Sequence, residues 1–181
     1  MTSTSEKASA PDRGRLIYLH GFRSSPQSFK AQLLGRRMTE LGRGADFVCP
    51  QLPASPAAAV ALVLDEVRPQ PQDTLVGSSL GGYYATWLAE RCGCRAVLLN
   101  PAVHAARDLA TQVGTHAMYH DSERTFVFEP GYVDELAALE VGAPTGAHAP
   151  RSPSIAVHSP TKSGMVLPVV ATSSTRTPGT T

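Results

Sequence analysis

Ser79 sits in Gly77-Ser78-Ser79-Leu80-Gly81, a G-x-S-x-G spacing directly preceded by the apolar run Thr74-Leu75-Val76 and directly followed by a helix-period segment. That order of strand, bend and helix is what a nucleophilic serine needs. The bend holds the residue in a strained backbone conformation with its hydroxyl exposed, and a β-carbon at either flanking glycine would clash across the turn. The first turn of the helix also aims its free amides and positive dipole end at negative charge developing on an attacked carbonyl. The chemistry implied is acyl transfer to Ser79, with the Leu80 amide as one donor to the oxyanion.

Leu19-His20-Gly21-Phe22 ends an earlier apolar run and supplies the second part. In folds that use this bend, the other oxyanion donor comes from the loop after an earlier strand, here the Phe22 amide, with Arg23 as the alternative. Gly21 lets that loop come close, and His20, Gly21 and Arg23 would border the substrate. His20 precedes Ser79 and lies at a strand end, so it reads as a structural histidine shaping the loop rather than as the base. Ser24 and Ser25 read as helix-capping residues. Tyr83, Tyr84 and Trp87 recur at helical spacing and read as core rather than as a substrate wall.

The elements that must position these residues alternate along the chain. Leu16-Ile17-Tyr18-Leu19, Asp46 to Cys49, Thr74 to Val76 and Ala96 to Leu99 read as short buried strands. Between them lie amphipathic helices, opened at Ser25-Pro26 and Ser55-Pro56 by a cap followed by proline and closed by Gly42 and Gly93. A further helix is expected near Pro130 to Leu139, packing against the domain rather than serving as a lid. Such alternation predicts an α/β fold, a parallel sheet flanked by helices.

Bulk composition removes other classes. The 181 residues suit one domain, and a net charge of +1 gives no footprint for nucleic acid or a charged membrane. No apolar run nears the roughly 20 residues needed to cross a bilayer. The N-terminus lacks the apolar centre of an export signal, and three cysteines, Cys49, Cys92 and Cys94, suit a reducing cytoplasm. Cys92-Gly93-Cys94 has no partner pair to complete a zinc site. No phosphate-binding G-x-x-x-x-G-K-[ST] or G-x-G-x-x-G sequence is present.

Three stretches together resemble the YqiA/YcfP-type small bacterial esterases: Leu19 to Lys30, Gly77 to Ala85 and Leu98 to Ala102. The similarity runs from about Arg15 to Val141. It implies an α/β-hydrolase fold, hydrolysis of short-chain carboxylic esters, a small acyl ester as substrate, and no metal or organic cofactor. Ser79 carries over as the nucleophile, with Phe22 and Leu80 as oxyanion donors.

The remainder of the triad does not carry over. In this fold an acid and then a histidine follow the serine, and the resembled family sets them in Gly-Asp-Glu and Asp-His-Gly stretches. This chain has neither. Its later acids are Glu90, Asp108, Asp121, Glu123, Glu129, Asp134, Glu135 and Glu140, and its later histidines are His104, His116, His120, His148 and His158. None stands in a recognisable position, with His120 or His158 the alternatives for a substitute base.

Residues 1–14 are therefore expected to be a disordered leader, 15–143 a hydrolase domain lacking its last strands, and 144–181 a disordered tail. No acidic residue follows Glu140, and the Pro/Ser/Thr-rich end resembles the product of a shifted reading frame in a GC-rich gene. An impaired esterase is the first functional expectation. A non-catalytic binding protein on the same fold is the second.

Overall fold

Apolar residues at every second position of the expected strands divide cleanly between two sides of one sheet. In the computed structural model, which describes residues 13–119, 121–142 and, as backbone, 156–158, the strands are β1 (Leu16–Leu19), β2 (Phe47–Val48), β3 (Thr74–Ser78), β4 (Arg95–Leu99) and a short strand at Ala156–His158. They are parallel and lie in the order β2, β1, β3, β4 and then 156–158. Ile17, Leu19, Leu75, Ala96 and Leu98 face one layer, while Leu16, Tyr18, Val76, Val97 and Leu99 face the other. This is the period-two pattern of a sheet covered on both faces.

The first layer is formed by α2 (Pro56–Leu62), α3 (Leu80–Cys92) and α5 (Gly131–Ala138). Tyr83 and Tyr84 are buried there as expected, and the Tyr83 hydroxyl donates to the Leu136 carbonyl at 2.7 Å. α5 is a packing helix. Its Leu136 is fully buried, and Glu135 accepts from the Ser55 hydroxyl at 2.7 Å and the Ala57 amide at 2.9 Å. Ser55, with Pro56 behind it, caps α2 as the sequence indicates. α1 (Phe29–Glu40) covers the opposite face through Ala31 and Leu34. Val97 and Leu99 remain half-buried on that side.

Several local expectations shift. α1 begins at Phe29 and is capped by Ser28, whose hydroxyl accepts from the Ala31 amide. Ser25 instead closes the preceding turn, its oxygens accepting from the Gln27 and Ser28 amides. Proline at 26 is compatible with that turn as readily as with a helix start. Asp46 closes a short 3-10 turn, leaving β2 only two residues.

An antiparallel pair, β5 (Gly114–Met118) and β6 (Asp121–Phe128), follows the short α4 (Ala105–Leu109). Neither β5, β6 nor α4 was expected from the sequence. The strand at 156–158 also falls within the stretch read as tail. Residues 1–12, His120, 143–155 and 159–181 lie outside the described residues. So do His148, the His158 side chain and most of the leader and tail. Among the described helices none is long and apolar enough to cross a membrane.

Candidate active site

The site is placed by the strand order. β1 leads through α1 to β2 on one side, whereas β3 leads through α3 to β4 on the other. The carboxyl ends of β1 and β3 are therefore a topological switch point, where open α/β sheets form their binding crevice. His20-Gly21-Phe22 and Ser79 occupy those two ends.

Ser79 lies between the last residue of β3 and the first of α3 with φ 54° and ψ −120°. A positive φ is uncommon for a non-glycine residue and costs about 1–3 kcal/mol where the surroundings impose it. Here four bonds hold it. The Ser79 amide donates to the Leu99 carbonyl at 3.1 Å, and its carbonyl accepts from the amides of Gly82 at 2.9 Å, Ala102 at 3.1 Å and Tyr83 at 3.4 Å. The residue is exposed although Ser78 and Leu80 on either side are buried. The bend turns the hydroxyl outward.

Close approach explains the flanking glycines. A β-carbon on Gly77 would lie 2.2 Å from the Gly81 carbonyl oxygen, and one on Gly81 would lie 2.0 Å from that of Leu19. The bend of β3 into α3 thus packs directly on the end of β1. A β-carbon on Gly21 would stand 3.1 Å from Ser79 Cβ and 3.6 Å from its Oγ. The β1 loop and the serine are in contact.

Two backbone amides adjoin this contact in the chain. Leu80 is the first residue of α3 and Phe22 follows Gly21; neither N–H donates to any group among the described residues. The Phe22 side chain is held by the β5–β6 pair, stacking edge-on against His116 at 5.2 Å, Phe126 at 5.4 Å and Phe128 at 5.3 Å. Arg23, also at positive φ, fastens the same loop. Its Nε donates to the Ala117 carbonyl at 2.8 Å, its guanidinium lies 4.5 Å over the Tyr119 ring, and its carbonyl accepts from the Tyr119 amide at 2.8 Å. The Arg23 side chain is thus spent on positioning.

His20 is buried with both ring nitrogens engaged. Nε2 accepts from the Leu52 amide at 3.1 Å, and Nδ1 faces the Gly21 carbonyl at 3.1 Å. An amide N–H can only donate, so Nε2 carries no proton and Nδ1 donates to Gly21. Burial lowers the pKa below the ordinary histidine value and keeps the ring neutral. It ties the loop after β1 to the loop after β2.

Two cavities flank the loop at Gly21–Arg23. One, of about 560 Å³, holds Ser79 together with Tyr18, Ser28, Lys30, Ser78 and Gln112. The other, of about 240 Å³, lies across the loop against Leu80, Tyr84, Leu52 and Phe126. Asp108 of α4 borders the first cavity but is paired with Arg107 at 2.9 Å. His104 is exposed at the start of α4, and the His116 ring packs on Phe22 with Nε2 against the Gln112 carbonyl at 2.5 Å. Among the described residues, then, no histidine lines the cavity that holds Ser79. Burial pushes the Cys49 thiol up to about 11 and Cys94 to about 12, so these stay protonated.

Sequence reasoning missed the parts contributed by distant elements: the Leu52 amide, the aromatic clasp on Phe22, and Lys30 within the cavity. The resembled stretch ends on that lysine, yet nothing local shows where its side chain goes.

Among solved structures the chain is similar to alpha/beta hydrolase domain-containing protein 10 from mouse, at 19% identity and a TM-score of 0.48. That match covers 70% of this chain and 61% of the mouse chain, so this chain spans less than two thirds of its length. The sequence profile of the uncharacterised protein family UPF0227 matches residues 15–157, which includes every residue placed at the site above. The chain therefore belongs to the uncharacterised protein family UPF0227.

Proposed function

We propose that this protein is a serine hydrolase of small carboxylic (acyl) esters, with Ser79 as nucleophile and the Phe22 and Leu80 amides as its oxyanion hole. The observation that carries the reading is the strained conformation of Ser79 at the bend from β3 to α3, exposed and in contact with Gly21. In the reaction Ser79 Oγ adds to the ester carbonyl carbon and its proton passes to solvent or a base. The carbonyl oxygen becomes an oxyanion facing the two free amides. Collapse expels the alcohol, and water then releases the acid from the acyl-serine. No metal or organic cofactor enters these steps, and the ester is the partner the site calls for.

The rate is set by the proton. A serine hydroxyl is a weak nucleophile without an adjacent base. Loss of triad members costs about 10⁴–10⁶ in turnover, while the oxyanion hole and binding retain a residue of catalysis. With no histidine lining the cavity among the described residues, slow hydrolysis is the expected behaviour. The same observation favours a second reading, a binding protein that retains the pocket without efficient turnover.

Labelling with a fluorophosphonate probe tests the choice. Covalent label at Ser79, lost in Ser79→Ala, accompanied by measurable cleavage of p-nitrophenyl acetate, is expected of the hydrolase. An unlabelled, folded wild-type protein would leave the binding reading standing.

A further inference from the structure

We infer that the cavity beside Ser79 takes an ester bearing a compact anionic group, a carboxylate or phosphate, which Lys30 binds. The inference rests on the reading of Ser79 as the attacking residue and adds the class of substrate.

Lys30 is the second residue of α1, and its Nζ donates to Ser78 Oγ at 3.1 Å. Ser78 is buried, so its bond to Lys30 ties the lysine head to the cavity wall. Lys30, Ser78 and Ser79 line the same cavity, and the residue that holds the ammonium is the chain neighbour of the attacking one. An ammonium has three hydrogens to donate. One is used on Ser78, and the others are free to face a ligand.

The other charged groups bordering the cavity are committed. Arg23 is spent on Ala117 and Tyr119, and Asp108 is held by Arg107 through Nε at 3.0 Å and Nη2 at 2.9 Å. Among the described residues Lys30 forms no ion pair with a carboxylate. A neutral ester in its ground state carries no charge to pair with that ammonium. An ester with an anion a few bonds from its carbonyl places the carbonyl at Ser79 and the anion at Lys30 together, and a lysine serves either anion as a point charge. A merely structural tie between α1 and β3 would need only a hydrogen-bond donor.

The test compares wild type, Lys30→Met and Lys30→Arg. The first measurement is binding without turnover: chemical-shift titration with monomethyl succinate, methyl phosphate and the neutral methyl acetate. Saturable binding of at least one anion, weakened about fivefold or more in Lys30→Met and by added salt but retained in Lys30→Arg, is expected. Its preference between the two anions identifies which is the ligand class. The second measurement is the ratio of kcat/KM for p-nitrophenyl hemisuccinate to that for p-nitrophenyl acetate, which should fall at least as far in Lys30→Met. Equal binding of anions by wild type and a folded Lys30→Met, or no anion binding by wild type, overturns the inference. Anion binding that depends on Lys30 in a protein whose Ser79 takes no fluorophosphonate label would instead support the anion site and refute the esterase reading.

Discussion

The Leu52 amide donates to Nε2 of His20 at 3.1 Å, and this one bond joins the loop after β2 to the loop that carries the Phe22 amide. A histidine at a strand end beside the proposed nucleophile invites the role of base. Its buried ring, with one nitrogen accepting from Leu52 and the other donating to Gly21, is already fully employed.

That arrangement makes stability depend on pH in a defined direction. Burial holds the folded pKa of His20 below the unfolded value of about 6.5. Its contribution is therefore complete above that value and is lost as pH falls through it, since the unfolded chain then binds the extra proton. The slope is at most about 1.4 kcal/mol per pH unit for one group. Urea denaturation between pH 5 and 8 (a range of about three units centred on the unfolded value) should show less dependence in His20→Gln than in wild type. Equal dependence in the two proteins would mean that the ring takes up a proton as readily folded as unfolded, so that its burial and the Leu52 bond do not set the pH response.

Strain at Ser79 predicts a trade of stability against reactivity. Glycine adopts positive φ without steric cost, whereas serine at φ 54° does not. Ser79→Gly should raise unfolding stability by about 1 kcal/mol while abolishing fluorophosphonate labelling. A drop in stability would show that the Ser79 side chain contributes more to the fold than its backbone conformation costs.

Two glycines should respond oppositely to the same substitution. Gly81→Ala sets a methyl group 2.0 Å from the Leu19 carbonyl oxygen, between two pieces of backbone that cannot both yield. A loss of about 3 kcal/mol or more, or failure to fold, is expected. Gly131, at the start of α5, has no neighbour within 4 Å of such a methyl group. Gly131→Ala should stabilise by about 0.4–1 kcal/mol. Thermal unfolding of the two variants side by side checks both statements.

Asp73 anchors the far end of β1. Its carboxylate is 2% exposed and accepts from the Arg15 amide at 2.6 Å, Arg15 Nη2 at 2.7 Å and the Gln70 amide at 2.9 Å. Burial alone would raise its pKa, but the hydrogen bonds from Arg15 and Gln70 outweigh burial and hold it below the ordinary carboxylate value. The resulting stability is present above about pH 3.9, the unfolded value, and disappears as pH falls through the folded one. Arg15 is one-third exposed, which tempers the pair. Asp73→Ala should cost about 2–3 kcal/mol at neutral pH, read by denaturant unfolding.

What the sequence determined by itself is the part of the molecule governed by neighbours a few residues apart. Ser55-Pro56 opens α2, Gly42 and Gly93 end α1 and α3 at positive φ, and Gly77-Ser78-Ser79-Leu80-Gly81 forms the bend. In each case the capping oxygen, the fixed proline φ or the missing β-carbon acts within one turn of chain, so the letters alone carry the physics. Only the tertiary structure decided what lies across space. The β5–β6 pair shows little alternation, with most of β6 exposed, because it is held by the Phe22 ring and the Arg23 guanidinium rather than by its own pattern. Likewise, Lys30 meets Ser78 forty-eight residues away only because the sheet order sets β1 beside β3 and lays α1 over both, a pairing that no local spacing encodes.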